Sequence, residues 1–355
     1  MSDAKRPDRM PVLVVSGFLG AGKTTFLNQL LSTPALADSL VIVNEFGDAG
    51  LDSLFLEEEA QASGSGLLVE ELTSGCLCCT LQGPLISTLE DLLRARDNGR
   101  IKPFKQLIIE TTGLADPAPI LGAFAKHPYL ALRYLVGGIV TVVDAAQDLS
   151  ALDQTPEATA QIAVADVLAI SKSDLVDAGE TEKLAKQLEL RNSHAQIALA
   201  PQLAEDTAWV TQLLEQAVVL PSLPASDASG QQEHSHDHAH DHHHQHAYSV
   251  VLRHTGEMEQ RIVTMFMDLV GMNLPGDVLR VKGIVWIANN EGPKAHATPW
   301  AIHAAGPLQH PPRPIRDGIA AKLETDENQV VVITRTDQTQ RLRELFAACL
   351  KQNHA

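Results

Sequence analysis

Nine residues near the start of the chain, Gly17-Phe-Leu-Gly-Ala-Gly-Lys-Thr-Thr25, have the types and spacing of a phosphate-binding loop. Gly17, Gly22, Lys23 and Thr24 fill the pattern G-x4-G-K-[ST]. Glycines there let backbone N–H groups turn inward around a polyphosphate, and a following helix adds the positive end of its dipole. Lys23 would then reach the β- and γ-phosphates, and Thr24 Oγ would hold Mg²⁺. Gly20, Ala21 and Thr25 complete the expected nucleotide cradle. The plain alternative is a glycine-rich turn carrying a surface lysine, and the flanking pattern argues against it.

A second cluster is chemically different. Cys76, Cys78 and Cys79 fall within four positions. Thiolates are soft ligands suited to zinc and other late transition metals. In extended backbone Cys76 and Cys78 share a face. A helix predicted just after Cys79 would help keep the sulfurs ionised. Three cysteines leave a tetrahedral shell incomplete, as an exchangeable site requires. The fourth ligand would come from elsewhere in the chain, from solvent or from a recipient protein.

Further candidates are spread along the chain. Glu45 and Asp48 lie in Asn44-Glu-Phe-Gly-Asp-Ala-Gly50, where nucleotide-responsive loops usually sit. They are candidate ligands for Mg²⁺, water or a second metal, although Asp and Gly are also ordinary turn residues. Leu107-Ile-Ile-Glu-Thr-Thr-Gly113 is an apolar run ending in an acid, with glycine three residues later. This is the Walker B pattern. Glu110 would act on a water held by Mg²⁺, and the Gly113 N–H would reach the γ-phosphate. Asp116 and Pro117 suit a helix start, as N-cap and first position. His127, at the end of that helix, is a further candidate metal ligand, although a lone histidine more often has a structural role.

Ser171-Lys172-Ser173-Asp174 occupies the place of the guanine-specificity motif [NT]-K-x-D. An Asp174 carboxylate can accept both guanine N1–H and the exocyclic amine, whereas adenine would leave it unpaired. The Lys172 stem would pack over the base. Ser171 replaces the usual Asn or Thr but keeps a hydroxyl that can fasten the loop. Farther on, His234, His236, His238, His240, His242, His243, His244 and His246 form an acid-interspersed tract that cannot build a core. Its composition is that of a metal-binding segment, with a plain solvated linker as the alternative.

These residues need a scaffold. Val12–Val15, Val41–Val43, Leu67–Leu72, Leu107–Ile109, Gly138–Val143 and Val164–Ile170 read as strands, alternating with helical patterns. That alternation predicts a mainly parallel α/β sheet with the nucleotide at the carboxyl ends of the strands. The expected organisation is a P-loop domain over 11–220, a His-rich linker over 221–247 and a smaller α/β domain over 248–355. In the last we expect a strand from Tyr248, a helix at Met258–Val270, strands at Leu279–Ala288, Thr298–Ala304 and Gln329–Thr334, and a helix at Gln338–Leu350. Arg280, Lys282 and Trp286 are its most distinctive side chains. Cys349, in the last helix, reads as a core residue.

Composition narrows the field. The net charge of −17 argues against a broad nucleic-acid or anionic-membrane surface. No stretch approaches the ~20 apolar residues of a membrane span. The charged start, Met1 to Met10, does not read as a signal peptide. A cytoplasmic protein is expected, and clustered cysteines there point to metal chemistry more than to disulfides.

Together the phosphate loop, Asn44-Glu-Phe-Gly47, Gly75-Cys-Leu-Cys-Cys79, Glu110-Thr-Thr-Gly-Leu-Ala-Asp-Pro117 and Ser171-Lys-Ser-Asp174 resemble the CobW family of metal-handling P-loop GTPases. Arg280-Val-Lys-Gly283 extends the likeness, more loosely, into the C-terminal part. The resemblance implies GTP hydrolysis, dependence on Mg²⁺ and a transition-metal site at the cysteines. Many members also carry a His-rich stretch between domains. Zinc is the expected metal, with cobalt as the alternative. The expected partner is a recipient apo-metalloprotein or metal-dependent enzyme. A nucleotide- or metal-dependent dimer is one oligomeric form open to it. With no evident arginine finger or catalytic glutamine, intrinsic hydrolysis should be slow. Two other readings fit the same residues: a metal buffer built on the His tract, and a metal-sensing nucleotide switch that remodels a target enzyme.

Overall fold

The computed structural model describes residues 9–43, 68–71, 82–193, 195–214, 247–288, 297–306, 308–315 and 327–353. Glu45, Asp48, Cys76, Cys78, Cys79 and the eight histidines from His234 to His246 lie outside the described residues, as does nearly all of the expected linker.

The N-terminal part runs β1 Met10–Gly17, α1 Lys23–Leu31, β2 Ser39–Val43, β3 Leu68–Glu71, α2 Gln82–Asp97, β4 Gln106–Glu110, α3 Ala118–Lys126, α4 Pro128–Arg133 and β5 Tyr134–Asp144. It continues with α5 Leu149–Asp153, α6 Pro156–Val164, β6 Val167–Ser171, α7 Ala178–Arg191, β7 Gln196–Leu199, α8 Ala200–Glu205 and α9 Ala208–Leu214. The seven strands form one sheet in the order β3-β2-β4-β1-β5-β6-β7, and every pairing is parallel. Strands buried on both faces need continuous apolar runs, which is how β1, β2, β4 and β6 read. Their side chains divide with a period of two. Val12 and Val14 face a core shared with α2, α3 and α4. Leu13 and Val15 face the opposite core, shared with α1, α8 and α9.

The C-terminal part comprises β8 Tyr248–His254, α10 Gln260–Asn273, β9 Val278–Ile287, β10 Thr298–Ala305, β11 Leu308–Pro314, β12 Asn328–Thr334 and α11 Thr339–Leu350. Its five strands are antiparallel, in the order β11-β10-β9-β12-β8. Val281, Val285, Val330 and Val332 pack with α10 and α11 on one face, and Cys349 is buried there as expected. No helix among the described residues is long and apolar enough to cross a membrane.

Two differences from the sequence reading have simple causes. Val164 closes α6 instead of opening a strand, because a short buried apolar run looks the same in either element. Strand β11 went unexpected because it carries Pro311, Pro312 and Pro314, which a sheet tolerates on an edge strand.

The two parts share a core. Leu279, Ala305, Val331 and Ile333 join the cluster formed by α3, α4 and α6. At its heart Asp166, between α6 and β6, meets two cations from β9. Arg280 donates to Asp166 Oδ1 and to the Val164 carbonyl, and Lys282 Nζ lies 3.0 Å from the same carboxylate oxygen. Asp166 Oδ2 accepts from the Ile139 N–H at 2.9 Å. His303 approaches Arg280 at 3.3 Å and stacks on His310, with ring centres 4.8 Å apart. Burial alone would raise the Asp166 carboxyl, but the charges of Arg280 and Lys282 outweigh it and hold it below the usual carboxylate range. Burial, helped by repulsion from Arg280, pushes Lys282 down from 10.5 to about 8 against the pull of Asp166.

The depressed Lys282 predicts a pH effect. Between about pH 8 and 10.5 the unfolded chain binds this proton and the folded chain does not. Stability should therefore rise with pH across that window, by on the order of 3 kcal/mol. Lys282→Met should remove the rise. Urea unfolding of both proteins at the two ends of the window checks it, since other titrating groups cancel in the difference.

Candidate functional site

Strand β1 ends at Gly17 and α1 begins at Lys23, so the loop between them sits at the carboxyl edge of the sheet. Gly22 caps α1 with φ 83°, in the left-handed region, and offers no side-chain cap. A helix start without a side-chain cap is a terminus of the kind that suits an anion. Lys23 Nζ donates to the Phe18 carbonyl at 3.2 Å and so lies over the loop. Thr25 is exposed on the first turn of α1.

Parallel register delivers the acid. Glu110, the last residue of β4, stands beside Val15 of β1 and Val43 of β2. It is buried, and its Oε1 accepts from Thr24 Oγ1 at 2.8 Å. A threonine hydroxyl and a carboxylate together form a hard oxygen donor pair of the kind that holds Mg²⁺. These two residues are 86 positions apart in the chain. After β4 the backbone stays tied to β1, with the Thr111 N–H bonded to the Val15 carbonyl at 2.9 Å. Gly113 then passes so close to the phosphate loop that a Cβ would lie 2.5 Å from the Leu19 nitrogen. Only glycine fits this approach, which sets its N–H beside the loop. Gln161 of α6 fixes the same segment, donating to the carbonyls of Gly113 at 3.2 Å and Ala115 at 2.9 Å.

The residues expected to read the base lie at and just after the end of β6. Ser171 Oγ donates to the Ala21 carbonyl at 2.6 Å, so the serine does fasten this turn to the phosphate loop. Lys172 adopts a left-handed backbone, φ 53°, and its Nζ pairs with Asp144 Oδ2 at 2.7 Å. Asp174 follows in a short 3-10 turn and is exposed. Gly17, Gly20, Ala21, Gly22, Lys23, Thr24, Glu110, Gly113, Ser171, Lys172 and Asp174 thus belong to one edge of the sheet.

His127 does not join them. It ends α3, nine residues and about 13 Å along the helix from its start, and its Nε2 lies 3.6 Å from Glu90 of α2. Among the described residues no group of three or more His, Cys, Asp or Glu forms a metal site. The strands leading to the unplaced candidates do end at the phosphate edge: Val43 of β2 is level with both Glu71 of β3 and Glu110. Asp144 and Gln161 were not singled out from the sequence. An acid at the end of a strand and a glutamine within a helix have no local signal of their roles.

This geometry defines a P-loop nucleotide-binding protein with a second, antiparallel domain docked on it. Residues 11–198 match the family described as "CobW/HypB/UreG, nucleotide-binding domain", and residues 247–350 match "Cobalamin synthesis protein cobW C-terminal domain". The chain belongs to the CobW/HypB/UreG family of P-loop GTPases. Among curated relatives, zinc chaperone YjiA of Escherichia coli is 38% identical over 186 residues, covering 52% of this chain and 56% of that protein. Zinc chaperone CobW of Sinorhizobium sp is 33% identical over 207 residues, covering 52% and 57%. Zinc-regulated GTPase metalloprotein activator 1 of Schizosaccharomyces pombe is 37% identical over 173 residues, covering 48% and 40%. The matches span about half the length of these relatives. The crystal structure of Zn(II)-bound YjiA GTPase from E. coli aligns with a TM-score of 0.62 at 22% identity. It covers 96% of this chain and 99% of that one, so the two-domain fold is shared.

Proposed function

We propose that this protein is a GTP-dependent metallochaperone that carries zinc to an apo-metalloprotein. The observation that supports it most is the Thr24–Glu110 contact at the phosphate loop, with Gly113 packed against Leu19. Lys23 and the loop amides would neutralise phosphate charge, and Asp174 would select guanine. Thr24 and Glu110 would hold Mg²⁺, which when bound supplies further positive charge to the phosphates. Cys76, Cys78 and Cys79 would bind the cargo, and the His tract would raise its local supply. The names of the relatives favour zinc over cobalt. Strands β2 and β3 support a link between the two chemistries, because Asn44–Asp48 and the cysteine segment follow strand ends level with Glu110. GTP would order both segments and hydrolysis would release them, an order–disorder switch.

The test is Zn²⁺ affinity by chelator competition, on protein lacking residues 234–246. It is measured with Mg²⁺ and a non-hydrolysable GTP analogue, and again with Mg²⁺-GDP. The GTP state should bind tenfold or more tightly, about 1.4 kcal/mol of coupling. Equal affinities would remove zinc as the switched cargo. The same pair of measurements with Co²⁺ then decides between cobalt and a metal buffer centred on the His tract.

A further inference from the structure

The segment that follows Glu110 is held from two sides. Gln161 grips the carbonyls of Gly113 and Ala115 from within the nucleotide domain. The other grip comes from the C-terminal sheet. Asp116 Oδ1 accepts the Ala118 N–H at 2.9 Å and so starts α3. Its second oxygen, Oδ2, accepts from Arg335 Nη2 at 2.5 Å, across 219 residues of sequence.

Arg335 is itself well anchored. It stands just after β12, with its backbone N–H on the Asp277 carbonyl at 2.9 Å and its Nε on the Gly276 carbonyl at 3.3 Å. Asp277 in turn fixes the Thr336 N–H at 3.0 Å and its hydroxyl at 2.8 Å. A second point of contact lies beside it. The β10–β11 turn brings Gly306 to the start of α3, where a Cβ would lie 3.5 Å from the Ala118 Cβ. The C-terminal sheet therefore holds Asp116 and the start of α3, three and five residues past Gly113.

The Asp116–Arg335 pair is about three-tenths exposed, at 26% and 31% of the two side chains. Ion pairs that open to water contribute little to folding. What this one fixes is direction: a capped helix start, a charged partner and a close-packed turn leave the Gly113–Asp116 segment little freedom. We infer that Arg335 is a positioning residue for the nucleotide site, acting through Asp116 to hold the Gly113 N–H where a γ-phosphate is read. The inference rests on the GTPase reading above. It gives the C-terminal domain a role in distinguishing GTP from GDP.

The experiment uses full-length protein and the substitutions Arg335→Ala, Arg335→Lys and Asp116→Asn, with the Arg335→Ala/Asp116→Asn double. Asparagine keeps the helix cap and removes the charge. Affinities for a non-hydrolysable GTP analogue and for GDP are measured together with the single-turnover hydrolysis rate. Arg335→Ala and Asp116→Asn should each lower analogue affinity and rate roughly fivefold or more, the lower range of inter-site coupling. GDP affinity should stay within about twofold, since GDP offers nothing to Gly113. Arg335→Lys should recover part of the loss, and the double should be no worse than the poorer single. Unchanged analogue affinity in both singles would overturn the inference. So would equal losses for GDP and analogue, or a double whose losses multiply. If the wild type hydrolyses no GTP yet Arg335 governs the analogue-to-GDP preference, the hydrolysis reading fails and the positioning role stands.

Discussion

Asp166→Ala is expected to destabilise the protein by about 3–5 kcal/mol, the usual cost of leaving a buried charge uncompensated. Arg280 is 1% exposed and Asp166 is 3% exposed, so solvent cannot replace the lost carboxylate. Lys282 can escape by releasing its proton, because its folded pKa is already down to about 8. Arg280 cannot, because a guanidinium does not deprotonate in proteins. The Ile139 N–H also loses its carboxylate bond. Both effects fall on the seam between the two sheets, so the loss should appear as earlier unfolding of the whole protein. Urea denaturation of wild type and variant measures it. Removing the stranded cation as well, in Asp166→Ala/Arg280→Met, should recover part of the loss, since an apolar pair satisfies the site better than a lone charge. A single-variant loss below about 1 kcal/mol would mean that the cluster is solvated.

That cluster marks the boundary of what the sequence discloses. The phosphate loop is legible because its chemistry is written in adjacent residues: Gly17 to Thr24 carry their own turn, their own charge and their own helix start. Glu110 and Asp174 are legible for a related reason. Glu110 ends an apolar run and Asp174 lies three residues past the end of another, and parallel strands deliver their ends to one edge. The alternation of strands and helices likewise discloses the parallel sheet, and both C-terminal helices fall where their periodicity puts them.

Contacts set by packing across domains are another matter. Asp166 precedes a strand like many turn acids, and only the fold sets it against Arg280 and Lys282, more than a hundred residues later. Arg280 and Lys282 are conspicuous in an apolar strand, yet their partner is not. Asp116 is readable as a helix cap and silent about Arg335. Asp144 ends a strand and gives no sign that it anchors Lys172. Edge strand β11 hides behind its prolines. In each case the local sequence satisfies one role while the tertiary structure adds a second.

The other large effect belongs to Asp174. Asp174→Asn should weaken GTP binding by roughly 3 kcal/mol, because one charge-assisted hydrogen bond of about 1.5–3 kcal/mol is lost and the other loses its charge. That is on the order of 10²-fold or more in affinity. The amide oxygen can still accept one guanine N–H, but the amide NH₂ then meets the exocyclic amine, donor against donor. Xanthine carries a carbonyl at that position, which the NH₂ can satisfy. The variant should therefore gain affinity for xanthosine triphosphate as it loses GTP, a reversal that general damage cannot produce. The scaffold around the site favours this clean outcome. Ser171 is bonded to the phosphate-loop carbonyl of Ala21, and Lys172 is held by Asp144. Asp174 itself is exposed on a short turn, so its replacement should leave folding unchanged within about 0.5 kcal/mol. Competition between GTP, ATP and xanthosine triphosphate for wild type and variant reads all three effects at once. Equal affinity of the wild type for GTP and ATP would remove Asp174 from base selection. A GTP affinity unchanged in the variant would do the same, and the turn would then be an anchor for the phosphate loop alone.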